Sequence, residues 1–321
     1  MCRNSEPTQP LRVACFLKED PTPYRERLAD GDGVCFRFFA TDAALAEGIV
    51  DADVLLASAV PSTATLSLAR RLRWIQAAAA GVDGFLGAGW PPAGALLTRI
   101  PSGFGEAIAE YVIAHVLAVT QGLRRIRDAQ AARSWSPFHP QLVAGKVMGV
   151  AGTGEIGRVV AQRARGVGMR TLGLARTGRK MAEFERVFDG SETSEFLGGL
   201  DVLAICLPLT PGTRGFFGAA ELASMKRGAI LVNVARGAIV DEAALVDALR
   251  AGTIRAAVLD VFETEPLPAR SPLWEMENVT VTPHVAGLND PDQIVGVFLD
   301  NLRRFRDGAS LHGVVDPQRG Y

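Results

Sequence analysis

Short apolar runs alternate along the chain with segments whose apolar residues recur at helical spacing. The front half carries "LRVACFL" (11–17), "GVCFRFF" (33–39), "ADVLLAS" (52–58), "LRWIQAAAA" (72–80) and "ALLTR" (95–99), separated by helical or turn segments such as "TDAALAEGIVD". A second set begins at Lys146: "KVMGVAG", "RTLGLAR", "DVLAICLPL", "AILVNVAR", "AAVLDVF" and "VTVTP". Runs of this length, spaced by helices, mark strands buried on both faces of a parallel sheet. Between the sets, residues 105–135 form one long helical pattern, apolar at first and basic later. After Gly287, "DQIVGVFLDNLRRFRDG" is an amphipathic helix. The pattern predicts an α/β chain with two parallel-sheet units. The start, "MCRNSEPTQP", is polar, so a disordered tail ending near Pro10 is expected, and no signal peptide.

Composition narrows the classes. The chain has 321 residues, room for roughly two domains. Hydrophobic residues are 48% and charged residues 21%, an ordinary globular balance. A formal net charge of -1 creates no field favouring nucleic acid or an anionic membrane, and neither is expected as a partner. No apolar run reaches the ~18 residues of a membrane span. Cys2, Cys15, Cys35 and Cys206 form no C-x-x-C pair. Reduced thiols in a cytoplasmic protein are expected, with no metal site.

"VAGTGEIGRVVA" (150–161) places Gly152, Gly154 and Gly157 in G-x-G-x-x-G spacing. The motif follows a predicted strand and opens a predicted helix, the context that gives it meaning. Gly152 suits a tight turn, Gly154 a close approach to a pyrophosphate, and Gly157 close helix–strand packing. Glu155 and Ile156 begin the helix whose free N–H groups would face the phosphates. A ligand-free turn is the plainer reading. The next strand ends "TLGLARTGRK", with Ala175 where an NAD-binding unit usually has an acid, and with Arg176 after it. No carboxylate repels a 2′-phosphate there, and a guanidinium can pair with one. NADP(H) is therefore expected over NAD(H), with NAD(H) possible. A solvated cluster of Arg176 and Lys180 is the plainer alternative.

"AAGVDGF", "GEAIAEYV", the glycine loop, "LPLTPGTRG", "NVARGAIVDEAAL", "LDVFETEPLP" and "TPHVAG" follow one another in this order. In these the chain resembles the D-isomer-specific 2-hydroxyacid dehydrogenases over nearly its whole length. It is most similar to their NADP-using glyoxylate and hydroxypyruvate reductase branch. The resemblance implies two Rossmann-like domains with a cleft between them. A flavodoxin-like substrate-binding domain would comprise 11–100 and 288–321, and a dinucleotide-binding domain 101–287. It also implies a homodimer built on "GEAIAEYVIAHVLAVTQGLRRIRDAQ", although an apolar helix packed in its own core fits the same pattern. "LNDPDQIV", after "TPHVAG", departs from the family's Ala/Thr-rich stretch.

Reducing a 2-oxo acid needs a cation for the carboxylate, a proton donor for the ketone oxygen and a group that keeps the donor charged. Arg236 is a planar fork just after a strand, where ligands of open α/β sheets bind. His284 lies just after another strand, and a free imidazole titrates at ~6.5, near neutrality. Glu265 can accept from the imidazole and favour its protonated form. By resemblance Arg236, Glu265 and His284 are the catalytic residues. Arg236 and His284 also bind substrate, and His284 also meets the cofactor. The resemblance further implies that the N–H groups of Ala80 and Gly81 bind the substrate carboxylate. It has Asp260, read as a carboxylate inside an apolar strand, accept from the nicotinamide carboxamide. A structural hydrogen bond to nearby backbone is the alternative for Asp260. Leu207, Pro208, Val234 and Ala235 stand at strand ends, where they line a cofactor site or simply pack. Gly287 is placed with them. Trp135 and Trp274 are candidates for closing the pocket. The expected activity is reduction of a small 2-oxo acid to the D-2-hydroxy acid with NADPH. A dinucleotide-sensing corepressor with little turnover is the alternative.

Overall fold

The computed structural model describes residues 9–87, 94–287 and 290–320. The polar tail through residue 8, Cys2 included, lies outside the described residues, as do the first two residues of "LNDPDQIV". The chain divides into two compact units, residues 1–103 with 289–321, and residues 104–288.

In the first unit, strands β1 (Leu11–Phe16), β2 (Val34–Phe39), β3 (Val54–Ala57), β4 (Trp74–Ala77) and β5 (Leu96–Thr98) form a parallel sheet in the order β2-β1-β3-β4-β5. This is the flavodoxin-like order. Every residue of β3 and β4 is buried, as expected of strands covered on both faces. Helices α1 (Thr22–Arg25), α2 (Asp42–Gly48) and α3 (Thr63–Ser67) connect the strands. Thr41 and Ser62 start the latter two by accepting from the N–H of Ala44 and Thr65, both at 3.2 Å. The C-terminal helix (Pro291–Arg306) returns to this unit. Its apolar face of Ile294, Val295, Phe298 and Leu302 is buried, and the Phe298 ring stacks on Trp74 at 5.3 Å between centroids. Asn301, fully buried, donates to Gln76 Oε1 at 3.0 Å and fastens the helix to β4.

The second unit opens with α4 (Phe104–Thr120) and α5 (Leu123–Ala131). It continues through β6 (Val147–Ala151), α6 (Glu155–Gly166), β7 (Arg170–Leu174), β8 (Arg186–Phe188), α7 (Thr193–Gly198), β9 (Val202–Ile205), α8 (Ala219–Ser224), β10 (Ala229–Asn233), α9 (Glu242–Arg250), β11 (Ile254–Leu259) and β12 (Val279–Val281). The strands are parallel in the order β12-β11-β10-β9-β6-β7-β8. From β6 the chain winds one way through β7 and β8, and from β9 the other way to β12. The reversal between β6 and β9 is the point where open α/β sheets bind ligands at their carboxyl ends.

Three features differ from the sequence reading. The helical pattern over 105–135 breaks at Gly122, which adopts φ +66° and separates an apolar helix from a basic one. β8 was not among the expected strands: it is three residues long, sits at the sheet edge and begins with exposed Arg186. Edge strands are commonly kept short and charged, so they lack an apolar run. Asp260 lies just beyond the end of β11 rather than inside a strand.

Among the described residues Cys15, Cys35 and Cys206 are free thiols. No helix there is long and apolar enough to cross a membrane.

Candidate active site

Every strand end of the seven-stranded sheet except that of β8 carries a residue singled out in the sequence. The glycine turn joins β6 to α6. Gly152 has φ +100°, and a Cβ there would meet the Cys206 carbonyl oxygen at 2.5 Å and the Leu207 nitrogen at 2.9 Å. A side chain would thus wedge β6 from β9 at the reversal point. A Cβ on Gly157 would lie 1.9 Å from the Gly152 carbonyl oxygen, so α6 packs directly on the turn. Gly154 differs: a Cβ there would meet nothing within 4 Å. The chain itself does not require this glycine, whereas a pyrophosphate lying against its backbone does. Glu155 and Ile156 open α6, a helix long enough to present a partial positive charge at its N-terminus. These observations fit a bound dinucleotide.

Ala175 and Arg176 follow the end of β7. Arg176, Thr177, Arg179 and Lys180 are exposed, and among the described residues no ion pair engages the three cations. No acid stands at the strand end. Leu207 is half-buried and packs on the core, while Pro208 beside it is exposed.

Arg236 ends the loop that leaves β10. Buried Asn233 shapes this loop: its Oδ1 accepts from the Ala235 N–H and its amide donates to the Arg236 carbonyl, both at 3.1 Å. Ala235 is buried, Val234 half-buried, and the Arg236 guanidinium donates to the Ala235 carbonyl at 2.8 Å. A Cβ on Gly237 would lie 1.8 Å from the carbonyl carbon of Phe262. The absence of a side chain at 237 therefore lets the Arg236 loop rest on the turn that carries Glu265.

Glu265 is held at both oxygens. Its Oε1 accepts from the Phe262 N–H at 3.0 Å, and its Oε2 lies 2.8 Å from His284 Nδ1. A carboxylate there orients the imidazole with Nδ1 as donor and turns Nε2 to other work. His284 has φ +55°, an uncommon conformation for a side-chain-bearing residue. Asp260 sustains it. The His284 N–H donates to the Asp260 carbonyl at 2.9 Å. The Asp260 carboxylate accepts from Thr282 Oγ1 at 2.6 Å, Val285 N–H at 2.8 Å and Ala286 N–H at 2.9 Å. The structural alternative considered for Asp260 is thus present in full. Three bonds still leave one of a carboxylate's four acceptor positions, on Oδ2.

The second unit therefore gathers Arg236, Glu265, His284 and Asp260 on neighbouring strand ends. Ala80 and Gly81 follow β4 in the first unit and are half-buried. Gly287 makes only ordinary contacts, its nearest neighbours lying 3.6 Å or more from a built Cβ. Trp135 is 97% exposed and touches little, and Trp274 donates its indole N–H to the Pro268 carbonyl at 3.1 Å. The sequence reading missed Asn233, Gly237 and Thr282. For Gly237 the adjacent Arg236 was a signal. For the other two, only the fold supplies the partner.

Residues 113–286 match the family described as D-isomer specific 2-hydroxyacid dehydrogenase, NAD binding domain. The chain is 33% identical to glyoxylate/hydroxypyruvate reductase A of Serratia proteamaculans, over 78% of this chain and 82% of that one. A D-isomer specific 2-hydroxyacid dehydrogenase from Xanthobacter autotrophicus, solved with NADPH and MES, superposes with a TM-score of 0.87 at 33% identity, covering 97% of this chain and 99% of that one. The NADPH-dependent glyoxylate/hydroxypyruvate reductase of Sinorhizobium meliloti, solved with NADP and sulfate, gives a TM-score of 0.89 at 29% identity, with the same coverage of 97% and 99%.

Proposed function

The chain belongs to the D-isomer specific 2-hydroxyacid dehydrogenase family, and from that premise we propose that it reduces a glyoxylate- or hydroxypyruvate-like 2-oxo acid to the D-2-hydroxy acid with NADPH. The observation that carries the reading is the anchored pair, His284 Nδ1 at 2.8 Å from a Glu265 carboxylate that is itself fixed by Phe262. NADPH, which the turn of Gly152, Gly154 and Gly157 would hold, would supply the hydride for the carbonyl carbon. Arg236 grips the carboxylate and polarises the ketone through its planar fork. His284 gives its Nε2 proton to the carbonyl oxygen and takes one back in oxidation. Glu265 keeps the ring oriented and favours its charged form. The N–H groups of Ala80 and Gly81 are assigned to the substrate carboxylate, and the open acceptor of Asp260 to the carboxamide.

The bare guanidinium of Arg176 and the missing acid after β7 support NADP(H) over NAD(H). The reading includes a cytoplasmic homodimer. Leu123 and Ile126, 47% and 44% exposed on α5, are offered as part of its contact, and light scattering of the purified chain tests it.

The test of the activity follows NADPH absorbance over a panel of glyoxylate, hydroxypyruvate, pyruvate, phenylpyruvate and branched 2-oxo acids. Turnover is expected with the smallest members, faster with NADPH than with NADH. Absence of turnover with all of them defeats the reading.

A further inference from the structure

Tyr111, on α4, is 171 residues from Thr282 in sequence, yet its hydroxyl lies 2.6 Å from Thr282 Oγ1. Thr282 Oγ1 in turn lies 2.6 Å from Asp260 Oδ1. The direction of both bonds follows from donor counting. The Asp260 carboxylate already accepts from two backbone N–H groups, so Thr282 donates to it. Thr282 has one hydroxyl proton, so Tyr111 must donate to Thr282. Burial pushes the Tyr111 phenol up to about 12, which keeps that proton in place near neutral pH. The ring is fixed independently: it lies against His115 at 4.1 Å between centroids, and His115 Nδ1 is 2.9 Å from the Tyr111 carbonyl.

The chain ends on the residue that clamps His284 from both sides. The Asp260 carbonyl holds the N–H of His284, and its carboxylate holds the two that follow. The clamped residue is the one at φ +55°. A backbone in that region persists where its surroundings over-determine it.

We propose that Tyr111 and Thr282 are positioning residues whose hydrogen-bonded chain to Asp260 holds the loop that presents His284. Their effect on turnover rests on the reading of His284 as proton donor, while their effect on the loop does not. Among the described residues, His284 is hydrogen-bonded by Glu265 at its Nδ1 and by the carbonyls of Asp260 and Thr282 at its N–H, and none of these accepting atoms is removed by the substitutions at Tyr111 and Thr282.

Tyr111→Phe, Thr282→Val and Thr282→Ser are made in the full chain. Two readouts are taken: steady-state reduction with NADPH, and backbone amide exchange at residues 284–286. Tyr111→Phe and Thr282→Val are expected to speed exchange at 284–286 while the amides of β10 keep their protection. Their kcat is expected to fall about fivefold to tenfold at unchanged KM, on the scale of one lost hydrogen bond. Thr282→Ser, which keeps the hydroxyl, restores both. Wild-type exchange at 284–286 in both hydroxyl-deleting variants overturns the proposal. So does a loss of protection spread evenly over the sheet, or a serine variant that behaves like valine. Should the wild type reduce no 2-oxo acid, the reductase reading falls and the exchange data alone decide the clamp.

Discussion

Replacing Glu265 by Gln perturbs the pair on which proton transfer depends while keeping its size. In the wild type, one carboxylate oxygen serves the Phe262 N–H at 3.0 Å and the other faces His284 Nδ1 at 2.8 Å. An amide that still accepts from Phe262 must turn its NH₂ toward Nδ1. That orientation suits a neutral ring with an unprotonated Nδ1 and disfavours the imidazolium that reduction consumes. The two side chains are 50% and 36% exposed, so solvent screens their attraction to the scale of a surface pair, about 0.5–1 kcal/mol. An energy of this size is about twofold to fivefold in rate. Reduction draws on the charged ring, so its kcat should fall about twofold to fivefold in Glu265→Gln, whereas oxidation, which draws on the neutral ring that the amide suits, should fall less. The assay is kcat in both directions at one pH, in buffer of constant ionic strength. Unchanged reduction, or an equal loss in both directions, refutes the reasoning.

Other variants address separate parts of the site. His284→Ala should lower kcat by about 10² to 10⁴-fold, the usual worth of a positioned general acid, with NADPH binding by fluorescence titration little changed. Gly152→Ala and Gly154→Ala should separate folding from binding. The first places a Cβ against the Cys206 carbonyl and should cost roughly 1–3 kcal/mol in denaturant unfolding, whereas the second leaves unfolding unchanged and weakens NADPH binding. Arg176→Ala should raise KM for NADPH about tenfold and leave KM for NADH nearly unchanged, since a charge-assisted contact of about 1.5 kcal/mol is lost only with the phosphate. Equal effects on both cofactors would remove Arg176 from that role.

The sequence by itself determined the material of both sheets and supplied the residues of the candidate site. The buried strands other than β8 are largely apolar runs, because strands covered on both faces hold few polar residues, and the buried exceptions Gln76, Thr98, Thr171 and Asn233 are hydrogen-bonded. The glycine turn was legible because its spacing encodes a local backbone path. Arg236, Glu265 and His284 were singled out because each follows such a run, where a parallel sheet presents its carboxyl ends, and because the chain resembles a known family there.

Tertiary structure decided what is paired with what. The break at Gly122 and the edge strand β8 leave no mark in periodicity, since one depends on a single φ and the other on a neighbour. Asp260 was legible as a buried acid, but its bonds to Thr282, Val285 and Ala286 exist only once β11 and β12 lie side by side. The absence of a side chain at Gly237 matters only because the Phe262 turn comes to rest against it. Tyr111 meets Thr282 across most of the second unit's sequence. Hydropathy reports how deeply a residue is buried, and hydrogen-bond partners are set by which strand ends and helices the fold makes neighbours.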